Sequence, residues 1–241
     1  MLEIYLTGIK PKSGVTFISG GIAATMQGLG YSTAVYLPVQ TGAGIKGGLI
    51  QAPDMMFSKF MDKNITTYCS YLYRGKPLSP AVCEREKLYI DKNIIFQDYM
   101  NVVNNYECVV VLGQSNFATM FEPDFTEEEL LRTINSPIVL VASMKNSNPE
   151  EIFDYLNFAK RKNLNLRGII LNEYPMDKLS TEAKDLQREI YNRTGIGVLG
   201  IIPHIEDLHT LRPEDWIEYV ICRTDLEAIF NVSISKLHAT A

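Results

Sequence analysis

The chain has no apolar run of the roughly 18 residues that a membrane-spanning helix needs, so no membrane partner is expected. It also lacks a basic excess. Lys and Arg total 23 against 28 Asp and Glu, a net charge of −5, which leaves no electrostatic footprint for nucleic acid. Cysteine is scarce, and the four present (Cys69, Cys83, Cys108, Cys222) form no CxxC pair. Zinc and dithiol chemistry lose their usual signature, and reduced packing residues are expected. The three histidines, His204, His209 and His238, lack zinc-ligand spacing. The opening MLEIYLTG has neither the length nor the positive charge of a secretory leader, so a cytoplasmic protein is expected, with its sequons at Asn64, Asn192 and Asn231 idle.

What remains is an ordinary globular composition, 46% hydrophobic and 21% charged over 241 residues. No repeat, linker or low-complexity tract divides it. A single domain over residues 1–241 is expected, with 203–241 as a C-terminal extension carrying one helix near Thr224 to Phe230. Short continuous apolar runs recur: Leu2 to Leu6, Tyr31 to Val39, Cys108 to Gly113, Pro137 to Ala142, Gly168 to Leu171 and Val198 to Ile202. Continuous rather than alternating runs suit parallel strands buried on both faces. Helical segments lie between them, at Phe17 to Leu29, Pro149 to Lys162 and Ser180 to Thr194. Asn148 and Pro149 form an N-terminal cap signal, and Gly195 forms a stop. The alternation predicts an α/β fold, a doubly wound, mostly parallel sheet flanked by helices.

The segment TGIKPKSGVT, residues 7–16, joins the first strand to the first helix. Gly8 and Gly14 bracket five residues, and Thr16 follows as a hydroxyl donor. A phosphate-binding loop has this context: backbone N–H groups wrap the phosphates, a Lys bridges them, and the Ser/Thr hydroxyl meets Mg²⁺. Here Val15 stands where that Lys belongs. Losing one such charge-stabilising group commonly costs about 2.7–4 kcal/mol, or about 100- to 1000-fold in rate. Lys10 and Lys12 lie within the loop, and Lys46 lies in the Gly-rich GAGIKGG segment. These three are the candidate catalytic substitutes.

The pieces together resemble the dethiobiotin synthases of the wider MinD/ParA/CobQ P-loop group. That family's loop reads TGTDTxVGKT, which Thr7, Gly8, Gly14 and Thr16 match. Its second strand ends in K-P-V-x-[ST]-G, matched by Pro38, Val39, Thr41 and Gly42, with Leu37 in place of a catalytic lysine. Asp54 matches a metal-binding aspartate by spacing, and Ser79 with Pro80 matches the opening of a substrate-facing helix. A family V-E-G-A-G-G segment is replaced by VLGQSN at 111–116, so Leu112 takes the place of a metal-side Glu. Asn172 matches the residue that reads the nucleobase, and GIIPHI at 200–205 matches the base-pocket segment with Pro203 and His204.

The resemblance implies a three-layer α/β/α, P-loop NTPase-like fold, ATP and Mg²⁺ as cofactors, and a homodimer. It implies an ATP-dependent cyclo-ligase that joins CO₂ to diaminononanoate in biotin synthesis. Cofactor contacts fall to Gly8, Gly14, Val15, Thr16, Asn172, Pro203 and His204, metal contacts to Thr16 and Asp54, and substrate contacts to Thr41 and Ser79. Val15, Leu37 and Leu112 remove two lysines and one carboxylate from that machinery. The leading expectation is therefore a catalytically impaired relative that serves as a nucleotide- or ligand-binding or regulatory module. An active enzyme with relocated lysines is one alternative. A MinD/ParA-like dimeric switch using Lys10 is another.

Overall fold

Runs such as CVVVL cannot face water on either side, and the computed structural model covers both faces of every such strand. It describes residues 1–74, 89–114, 116–122, 125–179, 181–207 and 210–234. Ser79, Pro80, Cys83, His209 and His238 lie outside the described residues.

The first half of the chain runs β1 (Leu2–Gly8), α1 (Val15–Gly28), β2 (Thr33–Gln40), β3 (Gly44–Lys46), β4 (Leu49–Gln51), α2 (Pro53–Met61), β5 (Thr66–Leu72), α3 (Lys92–Asn105) and β6 (Cys108–Leu112). The second half runs β7 (Met120–Glu122), β8 (Phe125–Thr126), α4 (Glu127–Ile134), β9 (Ile138–Ser143), α5 (Pro149–Arg161), β10 (Leu166–Tyr174), α6 (Glu182–Thr194), β11 (Val198–Pro203), α7 (Pro213–Ile221) and α8 (Leu226–Phe230). Seven strands form one sheet in the order β11-β10-β9-β1-β6-β2-β5. Every neighbouring pair in it is parallel. The expected doubly wound fold is present.

Successive strand residues point to opposite faces, and this sorts the core into two layers. Tyr5, Tyr36, Val109, Val111, Leu140 and Leu171 pack with α3, α4, α5 and α6 residues such as Tyr99, Leu130, Phe153 and Ile190. Ile4, Leu6, Val35, Leu37, Val110 and Leu112 pack on the other face with Ile18 and Ile22 of α1, Trp216 of α7 and Ile229 of α8. The result is three layers, α/β/α.

Helix boundaries follow local chemistry. Asn148 and Glu151 form a full capping box at the start of α5. Gly195 caps α6 at φ 72°.

The C-terminal part differs from the expected one-helix tail. It carries α7 as well as α8, and Trp216 is buried against Phe17 of α1. Ile201 N–H donates to Arg223 O and Asp225 N–H to Leu199 O, so residues 223–225 line the outer edge of β11. Covering an edge this way removes a template for unwanted strand pairing. The loop after β1 opens at the carboxyl ends of the strands, where β1 is flanked by β6 on one side and β9 on the other. In such sheets the ligand crevice forms where the winding direction switches.

Candidate functional site

The loop is held open by backbone conformation. Gly14 sits at φ 90°, ψ 21°, the left-handed region, and is the N-cap of α1 without a side-chain cap. A Cβ on Gly14 would lie 2.1 Å from Asn172 Nδ2, so only glycine fits. Asn172, buried at the end of β10, donates from Nδ2 to Ser13 O at 2.9 Å and pins the loop. Lys12 also adopts positive φ, 64°. The first turn of the 14-residue α1 contains no acidic residue. Its backbone N–H groups and the positive helix end therefore favour an anion.

A cleft of about 340 Å³ opens beside the loop. Lys10, Lys12, Ser13, Gly14, Val15 and Thr16 form one wall, and Thr41, Asp54, Leu112, Gly113 and Gln114 form the other. Thr16 Oγ1 donates to Asp54 Oδ1 at 2.6 Å. Gln40 Nε2 donates to Asp54 Oδ2 at 2.8 Å and to Thr41 O at 2.7 Å. Asp54 thus enters from the first turn of α2 and Thr16 from the first turn of α1. Together they are two hard oxygen donors at the mouth of an anion cradle. A Mg²⁺ ion usually takes one or two carboxylates, several waters and substrate phosphates, and this pair fits that pattern. Among the described residues no three His, Cys, Asp or Glu side chains gather in one place.

The three apolar replacements share one environment. Val15, Leu37 and Leu112 are all buried and belong to the same packed layer on the α1 side of the sheet. Leu37 contributes to the core and does not line the cleft, whereas Val15 and Leu112 do.

The lysines have different fates. Lys10 Nζ donates to Glu151 Oε2 at 2.6 Å and to Asn146 O at 3.1 Å, so it is tied to the start of α5. The same contact, first among its causes, holds the Glu151 carboxyl below the usual carboxylate range. Lys12 lines the cleft and is exposed. Lys46 lies on β3 of the β3–β4 hairpin and is not among the cleft residues.

Of the expected base-pocket residues, Pro203 ends β11, and His204 follows with its N–H donating to Tyr174 O at 2.8 Å. His204 Nδ1 lies 3.7 Å from Glu173 Oε1. Glu173 itself takes φ 52° and accepts from Ser143 Oγ. These groups sit together at the ends of β9, β10 and β11. They touch the loop through Asn172 and do not line the cleft.

Sequence reading missed two polar residues here. One is Gln40, whose Nε2 donates to Asp54 Oδ2. Glu127, fully buried at the start of α4, accepts from Tyr5 Oη and from Gln114 N–H, each at 3.1 Å. A Cβ on Gly113 would meet Glu127 Oε1 at 2.2 Å, which explains why Gly113 stays glycine. Burial first, and the Glu127 charge second, push the Tyr5 phenol well above its ordinary range. Glu127 opens the run EEE, which reads in sequence as ordinary acidic bias at a helix N-terminus.

Comparison with known proteins decides the family. The AAA_26 family model, described as an AAA domain, matches residues 3–212. The chain belongs to the AAA_26 family. Among curated proteins, this AAA_26 chain is 26% identical over 208 residues to an ATP-dependent dethiobiotin synthetase BioD of Anoxybacillus flavithermus, covering 85% of this chain and 93% of the relative. A protein of the same name from Bacillus cereus is 24% identical over 239 residues, covering 97% of each. Among solved structures, the MinC:MinD cell division protein complex of Aquifex aeolicus aligns with TM-score 0.56 at 11% identity, over 100% of this chain and 96% of that one. Cell division protein FtsY of Thermotoga maritima aligns with TM-score 0.53 at 16% identity, over 91% of this chain and 68% of that one. At those identities the structures speak for the fold. This AAA_26 chain is thus similar in sequence to the dethiobiotin synthetases and shares a P-loop NTPase-like fold with MinD and FtsY.

Proposed function

We propose that the protein binds a nucleotide in the loop cleft and is impaired in the phosphoryl transfer of a dethiobiotin synthetase, so that it works as a nucleotide-responsive binding module. The observation that carries this reading is the shared burial of Val15, Leu37 and Leu112 in one apolar layer. Phosphoryl transfer depends on positioning and on neutralising charge as it develops. Two missing lysines cost about 5–8 kcal/mol if their effects add, which is an upper guide because such groups couple. The anion cradle is the part that remains: Gly14 in its left-handed conformation, the uncapped start of α1, and Thr16 beside Asp54. In this reading Thr16 Oγ1 and the Asp54 carboxylate hold Mg²⁺, which neutralises phosphate charge when bound.

Relocated lysines receive less support. Lys10 is already paired with Glu151, and Lys46 lies off the cleft, which leaves Lys12 alone. The Lys10–Glu151 pair within one chain also disfavours a switch that uses Lys10 across a dimer. From the family resemblance we also propose a cytoplasmic homodimer that binds a small-molecule ligand, with Thr41 at the cleft as one substrate contact and Ser79, outside the described residues, as the other. No nucleic-acid partner suits its net charge of −5.

Calorimetric titration with ATP, ADP and a non-hydrolysable analogue, each with and without Mg²⁺, tests the binding half. Saturable binding near one nucleotide per chain is expected. Absence of heat with all three at millimolar concentration would reject the reading.

A further inference from the structure

The resemblance gives Asn172 to the nucleobase, yet its amide is turned to the phosphate loop. We propose that Asn172 is a positioning residue of the anion cradle: by holding the Ser13 carbonyl it aims the Gly14 N–H into the cleft, so that phosphate binding depends on it even where the ligand carries no base. It rests on the nucleotide-site reading above and assigns a supporting residue to that site.

The orientation of one peptide unit is decisive. Asn172 Nδ2 donates to Ser13 O at 2.9 Å. In a trans peptide the C=O and the following N–H point in opposite directions, and no cis peptide bond occurs among the described residues. Drawing the Ser13 carbonyl towards the end of β10 therefore turns the Gly14 N–H the other way. Gly14 lines the cleft and Asn172 does not, so the other way is into the cleft. Among the described residues the Gly14 N–H donates to no protein group. It stands directly before the first turn of α1, whose N–H groups also lack intrahelical partners. A row of such donors is what a phosphate cradle is made of.

Both ends of the contact are held in place. Asn172 is 5% exposed, pairs with Ser143 of β9, and accepts at its own carbonyl from Met144 N–H at 2.8 Å. Ser13 is 1% exposed, and its Oγ donates to Lys10 O at 2.6 Å. A strand end thus fixes a loop that is also braced on itself, and sites supported by strands keep their geometry better than sites on loops alone. The 2.1 Å approach of Asn172 Nδ2 to a Cβ built on Gly14 shows the amide packed directly behind the left-handed residue. Its donor is engaged by the loop before any ligand enters, which ties the residue to the phosphate end of the site.

Calorimetric titration of the full chain with inorganic pyrophosphate and with ADP, at one Mg²⁺ concentration, tests the assignment. Asn172→Leu keeps the approximate size and removes the donor. Affinity for both ligands should fall by the same factor, about tenfold, the scale of one lost hydrogen bond. The Gly14 amide resonance should shift on pyrophosphate addition in the wild type and shift much less in the variant. A base-reading residue would lose ADP affinity alone. A merely structural one would lower the unfolding midpoint and leave the folded protein's pyrophosphate affinity at the wild-type value. Either result would overturn the proposal, as would a wild type that binds no pyrophosphate. If the leucine variant does not fold, Asn172→Ser, whose side chain falls short of Ser13 O, carries the same expectation. ADP binding with a pyrophosphate affinity indifferent to Asn172 would overturn this assignment alone. Asn172-dependent pyrophosphate binding without ADP binding would uphold it and reject the nucleotide reading.

Discussion

Val15 is a good residue for the start of a buried helix and a poor one for a phosphate site, and the loop around it shows both facts. The backbone keeps the geometry of an anion cradle while the side chain turns into the core. Gly14 matters most for that backbone, because its positive φ and the 2.1 Å approach to Asn172 both forbid a side chain. Gly14→Ala should break the Asn172–Ser13 bond and reduce nucleotide affinity at least tenfold, measured by calorimetry, with little change in helix content. The loop and Thr16 were legible in sequence because their spacing is dictated by backbone chemistry at a strand–helix junction, whereas Asp54, 38 residues on, was reached only through the family resemblance. Gln40 and Glu127 were legible by neither route. Their roles arise from contacts with Asp54 at a separation of 14 residues and with Tyr5 at a separation of 122, and no local pattern encodes such pairs. The resemblance marks Asn172 as a base-reading residue, and its bond to Ser13 shows a hold on the loop that motif matching alone does not disclose.

Elements were easiest to read where burial was complete. The β6 run is apolar throughout and β1 and β9 are largely so, because each is covered on both faces, and all three appear close to their expected limits. Strand β5, with the sequence TTYCSYL, lies at the sheet edge and is only partly buried, so its mixed polar and aromatic pattern gave no clear period. Helix α3 hides for a related reason: only Ile95, Tyr99, Val102 and Val103 of its 14 residues are buried. Helix α7 was missed within the expected tail, although it supplies Trp216, the chain's single tryptophan, to the α1 layer. Trp216 sits against Phe17, one residue after Thr16, so α7 supports the helix that carries the loop. Trp216→Ala should cost about 3–5 kcal/mol of stability, the usual range for emptying a large aromatic site. Chemical denaturation would measure it. A loss below about 1 kcal/mol would mean that α7 is peripheral to the fold.

At the scale of the molecule, a P-loop NTPase-like fold carries apolar residues at three positions where the resemblance implies charged ones. Val15 on α1, Leu37 on β2 and Leu112 on β6 come from three separate elements yet meet in a single apolar layer. Fold and family depend on the seven-stranded core and tolerate these changes. Phosphoryl transfer depends on the withdrawn charges and should not. The most direct measurement is dethiobiotin formation from diaminononanoate, CO₂ and Mg²⁺·ATP, run beside a relative that keeps both lysines and the carboxylate. Binding of nucleotide with a turnover at least about 100-fold below that relative is the predicted result. Turnover within a few-fold of the relative would contradict the account and return the catalytic role to Lys12 and its neighbours.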